Sequence, residues 1–153
     1  MISQPQAGDL VQITGLSHDG RGVCNVNGKT VFVHGALPDE QVQLRFLKRQ
    51  RKFDEAEAVS IASASNDRTT PRCEHFDFCG GCALQHLGIE KQRHFKQQQL
   101  LENLRRIGHL QIDATDLAAP LIGNDWAYRR KARLSVRYVH KKQRVLVGFR
   151  ERK

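Results

Sequence analysis

Between residues 8 and 62, apolar and polar positions alternate in short runs broken by turn signals, which is the period of strands rather than helices. In "DLVQIT" (9–14), Leu10, Gln12 and Thr14 alternate with Val11 and Ile13. "DGRG" (19–22) reads as a turn and "VCNV" as a strand. "NGK" (27–29) reads as a hairpin connection, because Asn-Gly accepts the positive φ angles of a two-residue turn. "TVFVHG" is the return strand. After a turn at "LPDE" come "QVQLRFL", the basic bend "KRQRK" and a last run, "FDEAEAVSIA". The pattern then changes. "SASNDRTTPR" (63–72) is small and polar and reads as a linker. Residues 88–107 place Leu100, Leu101, Leu104 and Ile107 at helical spacing, with Arg105 and Arg106 in the last turn and Gly108 as a stop. That stripe predicts a core-facing side. From residue 126 the period returns to two. In "YRRKARLSVRYV", Arg129, Lys131, Arg133 and Arg137 fall on one face, and Tyr128, Arg130, Ala132, Leu134, Val136 and Tyr138 on the other. "HKKQR" turns the chain and "VLVGF" pairs back as a hairpin.

These elements predict a mainly β protein with some α. Residues 1–65 form an OB-like barrel of about five strands. Residues 66–153 form a small α+β region made of a cysteine-rich loop, one helix and one β-hairpin. The chain reaches "GFRERK" shortly after a strand with no closing element, so the second region is expected to continue beyond Lys153.

Charge sharpens the picture. The 153 residues carry a net charge of +9, more than solubility requires, which points to a polyanionic partner, RNA first. The basic candidates for phosphate contact are Arg45, Lys48, Arg49, Arg51 and Lys52 in "RFLKRQRK", and Arg129, Arg130, Lys131, Arg133 and Arg137 in the later strand. Arg130 stands out because it falls on the mostly apolar face, where an unpaired guanidinium is costly. No apolar run approaches the roughly 18 residues of a membrane-spanning helix. The start "MISQPQAGDL" lacks the charged and apolar regions of a signal peptide. A cytoplasmic monomer without membrane contact is expected, and in that compartment clustered cysteines read as metal ligands or redox groups.

Cys73, Cys79 and Cys82 fall within ten positions of "RCEHFDFCGGCALQHL", and the remaining cysteine is Cys24. Three readings fit the spacing. "CGGC" suits a thiol redox pair, although no βαβ pattern surrounds it. Three thiolates with His86, four residues after Cys82, suit zinc in a self-contained RNA-binding protein without enzymatic activity. Three thiolates with a distant fourth suit an iron–sulfur cubane, with Gly80 and Gly81 letting the backbone approach the sulfides. Soft thiolates favour zinc and iron–sulfur centres alike. Cys24 reads as a small buried side chain.

These residues resemble a known family. "GDLVQITGLSHDGRGVCNVNGKTVFVHGALPDEQV" resembles a TRAM domain, and "CEHFDFCGGCALQHL" resembles the iron–sulfur motif of bacterial 23S ribosomal RNA uracil-5 methyltransferases. "YRRKARLSVRY" and "VGFRERK" resemble the segments that follow in that family. The resemblance implies that Cys73, Cys79 and Cys82 ligate a [4Fe-4S] cluster, with the fourth cysteine beyond the "GFR" segment. It implies that the barrel and the basic central segment hold 23S ribosomal RNA. It also implies S-adenosyl-L-methionine as methyl donor in a Rossmann-like catalytic domain further on, so no catalytic residue is expected among these 153 residues and the chain alone is expected to be inactive.

Overall fold

A computed structural model describes residues 10–152. Asp9, the first residue of the strand expected at 9–14, and Lys153, the last of the basic ending, lie outside them. Six strands follow the alternation of the first segment: β1 (Leu10–Gln12), β2 (Gly15–Leu16), β3 (Gly22–Val26), β4 (Lys29–His34), β5 (Gln41–Arg49) and β6 (Phe53–Ser63). Their order is β1-β5-β6-β4-β3-β2, so the two outer strands are consecutive in the chain. β1 and β2 are therefore halves of one bent strand, and the sheet closes on itself through Ile13 and Thr14. Ile13 N–H donates to the Glu40 carbonyl at 2.9 Å and Thr14 N–H to the Val23 carbonyl at 2.8 Å. This is the expected five-stranded, OB-like closure.

All neighbours are antiparallel except β4 and β6, which run parallel from Thr30↔Phe53 to His34↔Glu57. Inside lie Ile13, Cys24, Val31, Val33, Ala36, Val42, Leu44 and Ala56. The hairpin signal at Asn27-Gly28 holds: both residues have positive φ, 53° and 81°, as a primed turn requires. Gly22 is required by close approach, since an added Cβ would stand 3.0 Å from both Ala36 Cβ and Ile13 Cγ2.

The polar run 63–72, read as a linker, is bonded to the barrel. Glu40 is 0% exposed. Its carboxylate accepts from Arg68 Nε at 2.5 Å and Nη2 at 2.8 Å, and from the N–H groups of Leu37 at 2.8 Å and Ser65 at 3.2 Å. Arg68 also donates to the Gly35 carbonyl at 2.6 Å. The small polar residues there serve hydrogen bonding, a role that composition alone does not separate from that of a spacer.

The described chain divides into two compact units. The first runs to Asp77 and includes Ala83–Gly88; the second comprises Phe78–Cys82 and the chain from Ile89 onward. In the first, Gly88 N–H donates to the Asp67 carbonyl at 2.9 Å, Thr69 N–H to that of His86 at 2.9 Å, and Leu84 lies against Gly20. Phe76, His86 and Leu87 are buried there.

The second unit holds α1 (Ile89–Arg106) and the hairpin β7 (Ser135–Val139) and β8 (Arg144–Gly148). The helix stops where expected: Gly108 N–H donates to the Asn103 carbonyl at 3.1 Å, and an added Cβ would stand 2.7 Å from the Leu104 oxygen. Its apolar stripe differs from expectation. Leu101 is 2% exposed, but Leu100 is 49% and Ile107 76% exposed, so a period of 3.6 marks a face able to bury and not one that is covered. The strand expected from Tyr128 begins only at Ser135, and residues 128–134 are exposed and irregular. Arg130 therefore meets no apolar face and carries no burial cost. Among the described residues, no helix is long and apolar enough to cross a membrane.

Candidate nucleic-acid interface and cysteine loop

The barrel's basic candidates sit on β5 and on its turn into β6. Inward Val42 and Leu44 alternate with outward Gln43 and Arg45. A register shift between Phe46 and Lys48 then interrupts the alternation, setting Lys48 opposite Glu55 and Arg49 opposite Asp54. Arg45 is ion-paired with the buried Glu57. Arg49 lies over the Phe46 ring at 3.7 Å and 3.4 Å from Asp54. Lys48, Arg51 and Lys52 point to solvent. Of the five basic side chains, Arg45 and Arg49 are thus held by the β6 carboxylates Glu57 and Asp54, and the other three are exposed.

Asp54 organises the turn. Its carboxylate accepts from Lys29 Nζ at 2.6 Å and from Gln50 N–H at 3.0 Å. Burial pushes its pKa up, but bonds from Lys29 and Gln50 and the charges of Lys29 and Arg49 more than offset this, and the group stays below the usual carboxylate range. It is therefore charged at neutral pH, and the turn presents Arg51 and Lys52 from a fixed base.

The second basic group lies in the other unit. Arg129, Arg130, Lys131 and Arg133 are exposed on irregular backbone, with Arg129 5.9 Å from the Tyr128 ring. Arg137 is on β7, opposite Leu146. The continuous period-2 basic face expected at 129–137 is thus a short strand preceded by an exposed arginine-rich segment. Exposed guanidinium groups beside an aromatic ring are suited to phosphate and base contact.

Of the cysteines, Cys73 belongs to the first unit, and Cys79 and Cys82 to the second. All are free thiols. The backbone N–H of Cys73 donates to Gln85 Oε1 at 3.1 Å. Gly81 N–H points at Cys79 Sγ, 3.3 Å away, the kind of bond that stabilises a thiolate ligand. Gly80 N–H donates to the Arg150 carbonyl at 2.8 Å, and an added Cβ at Gly80 would stand 2.9 Å from that oxygen. Glycine is thus required there by the backbone of the segment that follows β8. Among the described residues no group of three or more His, Cys, Asp or Glu side chains is gathered around a common point. His86 is buried with its ring 5.2 Å from that of Phe76, and nothing supports it as a zinc ligand. Cys24 is buried in the barrel core as expected, and burial pushes its thiol up to about 11. Sequence reasoning missed Gln85, Arg68 and the 149–152 segment, because their partners are distant and no local period marks them.

Comparison with known proteins matches residues 10–59 to the TRAM domain family. Nearly the whole chain is similar to proteins named 23S rRNA (uracil(1939)-C(5))-methyltransferase RlmD. The relative from Legionella pneumophila (strain Corby) is 48% identical over 141 residues, 92% of this chain and 31% of the relative. That from Alkalilimnicola ehrlichii is 49% identical over 142 residues, 93% of this chain and 32% of the relative. That from Stenotrophomonas maltophilia (strain K279a) is 51% identical over 143 residues, 92% of this chain and 32% of the relative. The resemblance read from the motifs therefore holds, and the chain spans about a third of the length of the curated relatives it matches.

Proposed function

We propose that this chain is the RNA-holding and cluster-bearing part of an S-adenosylmethionine-dependent uracil C5-methyltransferase acting on 23S ribosomal RNA in the cytoplasm as a monomer. The observation that supports it most is identity of 48% over 92% of the chain to an enzyme so named. The barrel, its exposed Lys48, Arg51 and Lys52, and the arginine-rich segment at 129–133 add physical support.

Uracil C5 is a weak nucleophile. Methylating it needs a thiolate that adds at C6 to make C5 enolate-like, a methyl donor for C5 to attack, and a base that removes the C5 proton before elimination. No residue in these 153 is assigned any of those roles. The part of this chain is binding. A target base leaves its stack at a cost of a few kcal/mol, which contacts from an accessory region offset. Lys48, Arg49, Arg51 and Lys52 on the barrel turn, Arg45 beside them, and Arg129, Arg130, Lys131, Arg133 and Arg137 hold the phosphates.

Cys73, Cys79 and Cys82 are the proposed cluster ligands. The donor set fits: the thiols are free and soft, Gly81 N–H is aimed at the Cys79 sulfur, and Gly80 carries no side chain where the Arg150 carbonyl comes close. When bound, a [4Fe-4S] cluster supplies iron–thiolate bonds that tie the loop. The test is a protein of the relatives' full length purified without air. Iron and sulfide with uracil-methylating activity on 23S RNA are expected. Zinc without iron would refute the cluster, and absence of methyl transfer to uracil would refute the reaction. A His86→Ala change leaves iron bound under this reading and releases metal under the zinc reading.

A further inference from the structure

The segment after β8 has no role in the reading above, yet it touches almost every residue of the CxxC loop. Arg152 N–H donates to the Phe78 carbonyl at 2.8 Å, and Gly80 N–H donates to the Arg150 carbonyl at 2.8 Å. These bonds bracket the antiparallel bridge Cys79↔Glu151. The Phe149 ring covers Gly81, where an added Cβ would lie 3.0 Å from the ring. The Arg152 guanidinium bonds the Cys82 carbonyl. Phe78, Cys79, Gly80, Gly81 and Cys82 are thus each held by Phe149, Arg150, Glu151 or Arg152.

We propose that Phe149–Arg152 is a clamp that positions the Cys79–Cys82 loop for its metal centre; this rests on the cluster reading above. A five-residue stretch with two adjacent glycines has high conformational entropy, which its own Gly81 N–H to Cys79 Sγ bond offsets in part. Ligand thiolates must be held close to their bound geometry before iron arrives, or ordering the loop is charged against affinity. The clamp provides that order from outside, through backbone bonds on both sides of Cys79 and a side-chain bond at Cys82. It leaves both sulfurs unused by the clamp and available as ligands. Phe149 and Arg152 are positioning residues, and neither is a ligand.

Two changes break the clamp from opposite sides. Gly80→Ala places a methyl against the Arg150 oxygen. Arg152→Pro removes the N–H and the guanidinium without altering the loop itself. Trp126 fluorescence, from the same unit, checks that each variant folds. The first readout is the alkylation rate of each thiol in the reduced, metal-free 153-residue chain, resolved by peptide mass. Cys79 should react about fivefold faster in both variants, the weight of one net hydrogen bond. Cys73, in the other unit, should stay within about twofold and serves as the internal control. The second readout is iron and sulfide bound after anaerobic reconstitution, and the rate of iron loss to a chelator, which should rise about fivefold in both variants. Unchanged Cys79 rates in both variants would overturn the clamp. A protein of the relatives' full length that takes up no iron would overturn the cluster reading, and the Cys79 rates then still decide whether the clamp exists.

Discussion

Removing Arg68 should reveal a buried carboxylate that the barrel cannot tolerate alone. Glu40 is 0% exposed and accepts four hydrogen bonds, two of them from the Arg68 guanidinium. Arg68→Ala strips both and the countercharge, leaving a carboxylate with two backbone N–H donors. Breaking a buried pair by deleting one member costs about 3–5 kcal/mol, because the remaining ion is not resolvated. For a unit of this size that lowers the melting temperature by roughly 12–20 °C. The loss should depend on pH. In the wild type, burial pushes the Glu40 pKa up, but the bonds from Arg68, Leu37 and Ser65 more than offset it, and the value lies below the ordinary carboxylate range. That contribution to stability is present above the unfolded pKa and is lost as pH falls through the lowered one. Without Arg68, burial dominates and the pKa rises above the unfolded value, so protonation relieves the variant as pH falls. The gap between wild type and variant should therefore be widest near pH 7 and narrow toward about pH 4. The assay is urea denaturation followed by far-UV circular dichroism, because Trp126, Tyr128 and Tyr138 all belong to the second unit and their fluorescence does not report the barrel. A loss under about 1 kcal/mol that does not vary with pH would refute the reasoning.

Three further outcomes are expected. Replacing Lys48, Arg51 and Lys52 by Gln should reduce the slope of log affinity for single-stranded RNA against log salt by about two; an unchanged slope in filter binding removes the barrel turn from the interface. Gly28→Ala should cost about 1 kcal/mol in thermal unfolding although nothing crowds that position, because its φ of 81° strains any residue with a Cβ. At pH 8 an alkylating reagent should label Cys82 and spare Cys24 in the native chain, because the Cys24 thiol is buried and pushed up to about 11; early labelling of Cys24 would show that the barrel opens.

The alternation of Val31 and Val33, the Asn27-Gly28 turn, the stop at Gly108 and the triplet Cys73, Cys79 and Cys82 were all legible in the sequence, since each depends on neighbours within a few positions. Tertiary structure decided what depends on distant partners. The bulge before Lys48 overrides the alternation that would have assigned the basic side chains to faces, because pairing with β6 sets the register. The parallel pairing of β4 with β6 arises from closing the barrel, a constraint no single strand contains. Glu40 and Arg68 are 28 positions apart, and only the fold shows that a run with the composition of a linker ends in a buried ion pair. Arg152 reaches the Cys82 carbonyl from 70 positions away. The short spacing of Cys73, Cys79 and Cys82 is local and can be read from the sequence, whereas what holds the Cys79–Cys82 loop is a segment beyond β8 whose own sequence gives no sign of it.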